Sequence, residues 1–163
     1  MYSIDELPLQ DLQNFWSLLY MDFCRKICTD HPAEGETVIR RAIAETGRRQ
    51  GEWQRQEHEQ MGLNTNLHSF FLDGRGAVCD PRSAAAVHTR NTEVCLWDRY
   101  ICPMANYWAA HSAEAYGRFY CEEYMRAFLS GYTGGKGQFH LSKVLTDKRD
   151  ILCQFAAYFR PAN

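Results

Sequence analysis

Val94-Cys95-Leu96-Trp97-Asp98-Arg99-Tyr100-Ile101 decides the reading of this chain. Val94, Leu96, Asp98 and Tyr100 alternate with Cys95, Trp97, Arg99 and Ile101. Upstream, apolar residues recur at helical intervals. From Ala86 the period becomes two, the signature of an extended strand with two distinct faces. The spacing predicts one strand from Val87 to Ile101, with a bulge near Arg90–Asn91, ended by Pro103. Downstream, a short helix is expected from about Met104 to Ala110. Ser112 reads as the N-cap of a longer helix, which the glycines of Thr133-Gly134-Gly135-Lys136-Gly137 close. Gln138 to Thr146 and Asp150 to Phe159 alternate again. With Asp147-Lys148-Arg149 between them they form a β-hairpin.

Upstream, Leu12, Phe15, Trp16, Leu19, Phe23 and Ile27 mark a helix from Leu9 to Ile27. Thr29-Asp30-His31-Pro32-Ala33-Glu34-Gly35-Glu36 breaks it. A long second helix runs from about Ala33 to Met61, with Ile39, Ala42, Ile43, Thr46 and Trp53 as its narrow inner stripe. Gly47 and Gly51 flank Arg48-Arg49-Gln50 inside it. Each costs about 1 kcal/mol against alanine in a helix interior, so they point to close approach by a neighbouring helix or a ligand. Asn66 to Leu72 reads as a short helix. Asp73-Gly74-Arg75-Gly76 and Asp80-Pro81-Arg82-Ser83 carry turn chemistry within an elaborated loop. The order predicts an α+β single domain spanning residues 1–163. N-terminal helices (about 9–62) accompany an α+β part (about 86–160), in which an antiparallel sheet of at least three strands packs against a C-terminal helix.

The 163 residues suffice for one buried core. With 45% hydrophobic and 23% charged residues, the chain reads as globular. A net charge of -2, with no basic tail, gives nucleic-acid binding no electrostatic support. The acidic start Met1-Tyr2-Ser3-Ile4-Asp5-Glu6, with no long apolar run after it, argues against a signal peptide or a membrane span. A cytoplasmic location follows as the expectation, with the seven cysteines as thiols. Cys24 and Cys28 share a helix face and read as core packing.

On a helical wheel, Ala113, Gly117, Tyr120, Tyr124, Ala127 and Phe128 form the inner face of the Ser112–Gly131 helix. Arg118, Glu122 and Arg126 point away. Glu114 and Cys121 share one margin of the inner face. A partly buried Glu114 would have a raised pKa suited to acid/base work. In the first turn it would equally complement the helix dipole. Cys102 stands at a strand end, and Cys153 alternates with Ile151, Phe155, Ala157 and Phe159 toward the core. Three thiolates and a water would make a zinc tetrahedron, but spacings of 19 and 32 residues match no zinc-ligand pattern. Neither metal nor cofactor is expected. A cysteine nucleophile would need a partner such as His111 or His140. The P-loop, GxGxxG, GxSxG and HExxH motifs are absent.

Ile101-Cys102-Pro103-Met104-Ala105-Asn106-Tyr107-Trp108, the helix from Ala113 to Tyr132 and Lys143 to Phe159 together resemble the L-2-amino-thiazoline-4-carboxylic acid hydrolase family. The matching positions are Cys102-Pro103, Trp108, Glu114, Gly117, Tyr120-Cys121 and Cys153-Gln154-Phe155. Gly47-Arg48-Arg49-Gln50-Gly51 also looks like that family's helix motif. The resemblance covers roughly residues 86–159. A more distant likeness, to 4-vinyl reductase domains, rests on the same cysteine-rich ending. The resemblance implies a hydrolase acting on a cyclic C=N bond beside a carboxylate. Glu114 would be the base; Cys121, Cys102 and Cys153 would serve as nucleophile, acid or pocket wall. Arg48 or Arg49 would hold the carboxylate, and Trp108, Tyr120 and Tyr124 would bind substrate. Asn106, Tyr124 and Gln154 are neutral where the family is usually acidic, which points to an altered reaction such as cyclisation, dehydration or rearrangement. A non-enzymatic module binding a metal or small ligand is the remaining alternative. The expected partner is a small-molecule substrate, with no nucleic acid and no membrane; a homodimer is left open.

Overall fold

The strand residues Cys95 and Trp97 are buried, as an inward face requires, and everything else is arranged around them. The structure is a computed structural model and describes residues 9–72 and 85–160. Helices α1 (Leu9–Asp30), α2 (Gly35–Gln60) and α3 (Leu67–Leu72) precede strands β1 (Ala85–Arg90) and β2 (Val94–Arg99). Helices α4 (Pro103–Ala110) and α5 (Glu114–Thr133) and strands β3 (Gly137–Lys143) and β4 (Cys153–Phe159) follow. The fold is α+β, with an antiparallel four-stranded sheet in the order β1-β2-β4-β3. The turn readings at residues 73–76 and 80–83, and the start of the chain through residue 8, lie outside the described residues.

The expected single strand from Val87 to Ile101 is two strands. Asn91 is the reason. Its side-chain oxygen accepts hydrogen bonds from the amides of Glu93 (2.9 Å) and Val94 (2.7 Å), and its own amide donates to the Val94 carbonyl. That Asx-type turn folds the segment into a hairpin, and the register slip falls between Val87 and Thr89, not at Arg90–Asn91. A second correction concerns Ser112. It adopts a left-handed φ of 52°, α5 begins at Glu114, and no side chain caps it. The β3–β4 hairpin forms and Gly134 stops α5 with a left-handed φ of 62°, as expected. However, β3 ends at Lys143 and β4 begins at Cys153, so the connection is longer than Asp147–Arg149, and Ile151, expected to face the core, is exposed.

The sheet's inner face meets α5 and α3. Trp97 lies between Phe155 (ring centroids 4.9 Å apart, stacked) and Phe71 (4.6 Å, edge-on). Phe128, Leu129 and Tyr132 of α5 close the same core. Such aromatic pairs add about 0.5–1.5 kcal/mol each beyond their burial.

The other side of α5 lies on α2, and the two run parallel. Arg40 pairs with Glu122 (2.7 Å) and Glu123 (3.1 Å). Further along, Gly47 meets Tyr124 and Gly51 meets Phe128. A Cβ on Gly47 would stand 2.6 Å from the Tyr124 carbonyl, and one on Gly51 would overlap the Phe128 carbonyl. Gly131 answers from α5, with its Cα against the Arg48 backbone. The glycines therefore serve a helix crossing. Glu122, expected to point away from the core, is half-buried and held by Arg40 and Arg118.

Helix α1 buries Ser17, Met21 and Cys24 against this body, while Leu12, Phe15, Leu19 and Phe23 stay 43–62% exposed. Among the described residues no helix is long and apolar enough to cross a membrane.

Candidate active site

Arg99 and Cys153 are register partners on β2 and β4, side by side on the sheet's inner face. Both are buried. Cys102 lies three residues beyond Arg99, where Pro103 ends the extended segment and starts α4; it too is buried. Cys121 descends from α5 to the junction of two core clusters. There it is within electrostatic reach of Cys102, Cys153 and the Arg99 guanidinium, with the Thr146 hydroxyl against it. The Leu145 amide donates to the Cys153 sulfur at 3.2 Å. Thus the three thiols singled out in the sequence converge around one arginine that the sequence reading did not assign to the site.

Burial raises the Cys121 thiol well above its usual range, against the pull of Arg99. Burial likewise pushes Cys153 up to about 11. Both are therefore protonated near neutrality, and they are proton donors before they are nucleophiles. Among the described residues no group of three or more cysteine, histidine or acidic side chains could hold a metal ion.

Tyr120 joins this cluster to an open groove. Its hydroxyl feels Cys121, Cys102 and Arg99, and burial holds it protonated. Its ring stacks on Tyr124 (4.9 Å). Together they floor a groove of about 500 Å3 between α1 and α2. Trp16, Tyr20 and Phe23 form one wall; Ile39, Ile43 and Thr46 form the other. The substrate-binding assignment of Tyr120 and Tyr124 thus coincides with a pocket floor.

Other assignments land elsewhere. Glu114 is bridged by Lys148 (Nζ to Oε1 3.1 Å). Its own backbone amide and the Lys148 ammonium hold its carboxyl below the ordinary glutamate range. The raised pKa of a buried acid/base residue is not found; the helix-dipole reading describes it. The carboxylate within reach of Cys153 is Asp150, which accepts the Val144 amide at 2.9 Å. Arg48 is exposed and paired with Glu52 (2.6 Å), and Arg49 is exposed; neither lines the groove. Trp108 is fully buried, donates its indole N–H to the Ser17 carbonyl (3.2 Å) and packs among Trp16, Tyr20 and Tyr120. It supports the groove from behind. His111 is exposed and held by the Tyr107 carbonyl. His140 occupies the outward face of β3, opposite to Cys153. Asn106 and Gln154, two of the neutralised acidic positions, also face solvent.

Arg99 carried a signal that could have been read. It shares a face with Cys95 and Trp97, so the alternation alone puts a guanidinium among core residues.

Compared with known proteins, the chain matches no family model, no curated protein and no solved structure.

The Glu114–Lys148 pair sits at the surface on the lysine side (82% exposed) and is worth little. Glu114→Gln is expected to cost under about 1 kcal/mol at pH 7. Because the folded carboxyl is the more acidic, its contribution is present above the unfolded glutamate pKa. It is lost as pH falls through the lower folded value. Chemical unfolding of both proteins from pH 7 to 3 checks this: the gap should close on acidification.

Proposed function

We propose that the chain is a small-molecule enzyme acting on a cyclic C=N carboxylate at the Cys102–Cys121–Cys153 cluster. The observation that carries this reading is the buried Arg99 guanidinium beside three thiols, behind the floor of an apolar groove. Arg99 binds the carboxylate, since a guanidinium offers two parallel N–H donors to its oxygens. The ring lies toward Tyr120 and Tyr124. Cys121, kept protonated by burial, donates its proton to the ring nitrogen as that atom takes the C=N electron pair. The resulting thiolate faces Arg99. Water adds to the ring carbon and returns one proton to the thiolate, which regenerates the thiol. A reducing, cytoplasmic setting belongs to this reading, because it requires free thiols; all six described cysteines are free.

A second reading keeps the thiol as proton donor but omits water, giving cyclisation or rearrangement of a biosynthetic intermediate. Glu114 favours it, because that carboxylate is occupied by Lys148 and not available as a base for water.

The test is turnover of 2-amino-thiazoline-4-carboxylate and related cyclic imine carboxylates. The first reading expects Cys121→Ser to lose most activity and Glu114→Gln to keep it. Formation of an isomer without water uptake selects the second. No reaction with any member, or equal activity in wild type and Cys121→Ser, rejects both.

A further inference from the structure

Among the described residues, helix α1 exposes an apolar stripe. Leu12, Phe15, Trp16, Leu19 and Phe23 are between 37% and 62% exposed. Monomeric proteins rarely expose contiguous apolar patches beyond a few hundred Å2. Five such side chains, three of them aromatic, present roughly 500 Å2.

The stripe has a symmetry that selects its occupant. Leu12, Trp16, Leu19 and Phe23 follow at intervals of 4, 3 and 4 residues. This is the seam spacing of paired helices. It also reads the same in both directions. An antiparallel copy therefore meets it in register, with Leu12 beside Phe23 of the second copy and Trp16 beside Leu19. The ends match in charge as well: Asp11 comes to the end of the other helix that carries Arg25 and Lys26. A stable interface needs about 800 Å2 per partner. The apolar stripe supplies more than half, and the polar residues that rim it, Asp22 and Arg25 among them, lie where the remainder would be buried.

We propose that the chain forms a two-fold symmetric homodimer through antiparallel pairing of α1. Trp16 and Phe23 belong both to the stripe and to the groove wall. The second copy's α1 therefore roofs the open side of the groove, and the pocket is complete only in the dimer. The pairing rests on the stripe, not on the chemistry proposed above, so either can fail alone.

Sedimentation equilibrium of the full chain tests this, with Leu19→Lys, Phe15→Lys and the control Ile151→Lys, whose residue is 83% exposed in the β3–β4 loop. Circular dichroism verifies that each variant is folded. The expected result is the mass of two chains for wild type and Ile151→Lys. Leu19→Lys and Phe15→Lys should dissociate, with dimer affinity weakened at least about 100-fold, because each buries two lysines across the two-fold axis. A wild type with the mass of one chain at tens of micromolar overturns the proposal, whatever else covers the stripe. So does folded Leu19→Lys or Phe15→Lys that stays as dimeric as wild type.

Discussion

Gly51→Ala is expected to destabilise the protein by about 3 kcal/mol or more, although the same change on an exposed helix adds about 1 kcal/mol of helix propensity. The sign reverses because of what the new methyl meets. At Gly51 it overlaps the Phe128 carbonyl and stands 2.5 Å from the Tyr132 amide nitrogen, both main-chain atoms of α5. Neither can rotate away. The helices must separate, and separation strips the packing from Gly47 and Gly131 as well, since all three lie along one crossing. Phe128 and Tyr132 also belong to the sheet-side core, so the disturbance reaches the sheet. Denaturant unfolding monitored by tryptophan fluorescence should show a lower midpoint. A midpoint at or above wild type would mean that α2 and α5 do not meet at this glycine.

Arg99→Met is expected to cut kcat/KM on a carboxylate substrate about 100-fold, close to 2.7 kcal/mol of transition-state binding. Methionine fills similar space in the core, and circular dichroism verifies that the variant is folded before its kinetics are compared. The discriminating readout is the substrate's own charge. If Arg99 holds the carboxylate, the corresponding neutral amide loses little. If Arg99 only supports the fold, through its approach to the Phe155 ring (5.9 Å) and its place beside Cys153, both substrates fall together.

The sequence exposes its architecture where one residue type dominates a position. Alternation through Trp97 and Phe155 places the inner face of the sheet, and the paired glycines at 134 and 135 stop α5. It hides what depends on a single side chain in three dimensions. Whether Asn91 bends a long strand into a hairpin depends on its oxygen reaching two amides, which periodicity does not encode. Glu114 occupies the expected margin of α5, but Lys148, 34 residues away in the β3–β4 loop, sets its charge state. The thiols were legible one by one, through a strand end, a wheel and an alternation. Their convergence was not, because it needs the register that pairs Arg99 with Cys153. The helix of α1 was legible too. Its burial runs through the small Ser17 and Cys24 with Met21, which leaves the larger residues of the apolar stripe outside.

The central claim is that Arg99 and the three thiols form one carboxylate-binding site. It is tested most directly by cysteine labelling with iodoacetate and with iodoacetamide, read by peptide mass spectrometry in wild type and Arg99→Met. The two reagents differ in charge and not in the bond they form. At Cys102, Cys121 or Cys153 the wild type should favour iodoacetate over iodoacetamide, relative to the ratio at Cys28 on α1, and Arg99→Met should abolish that preference. Equal ratios at the cluster and at Cys28, unchanged by the substitution, would contradict the account.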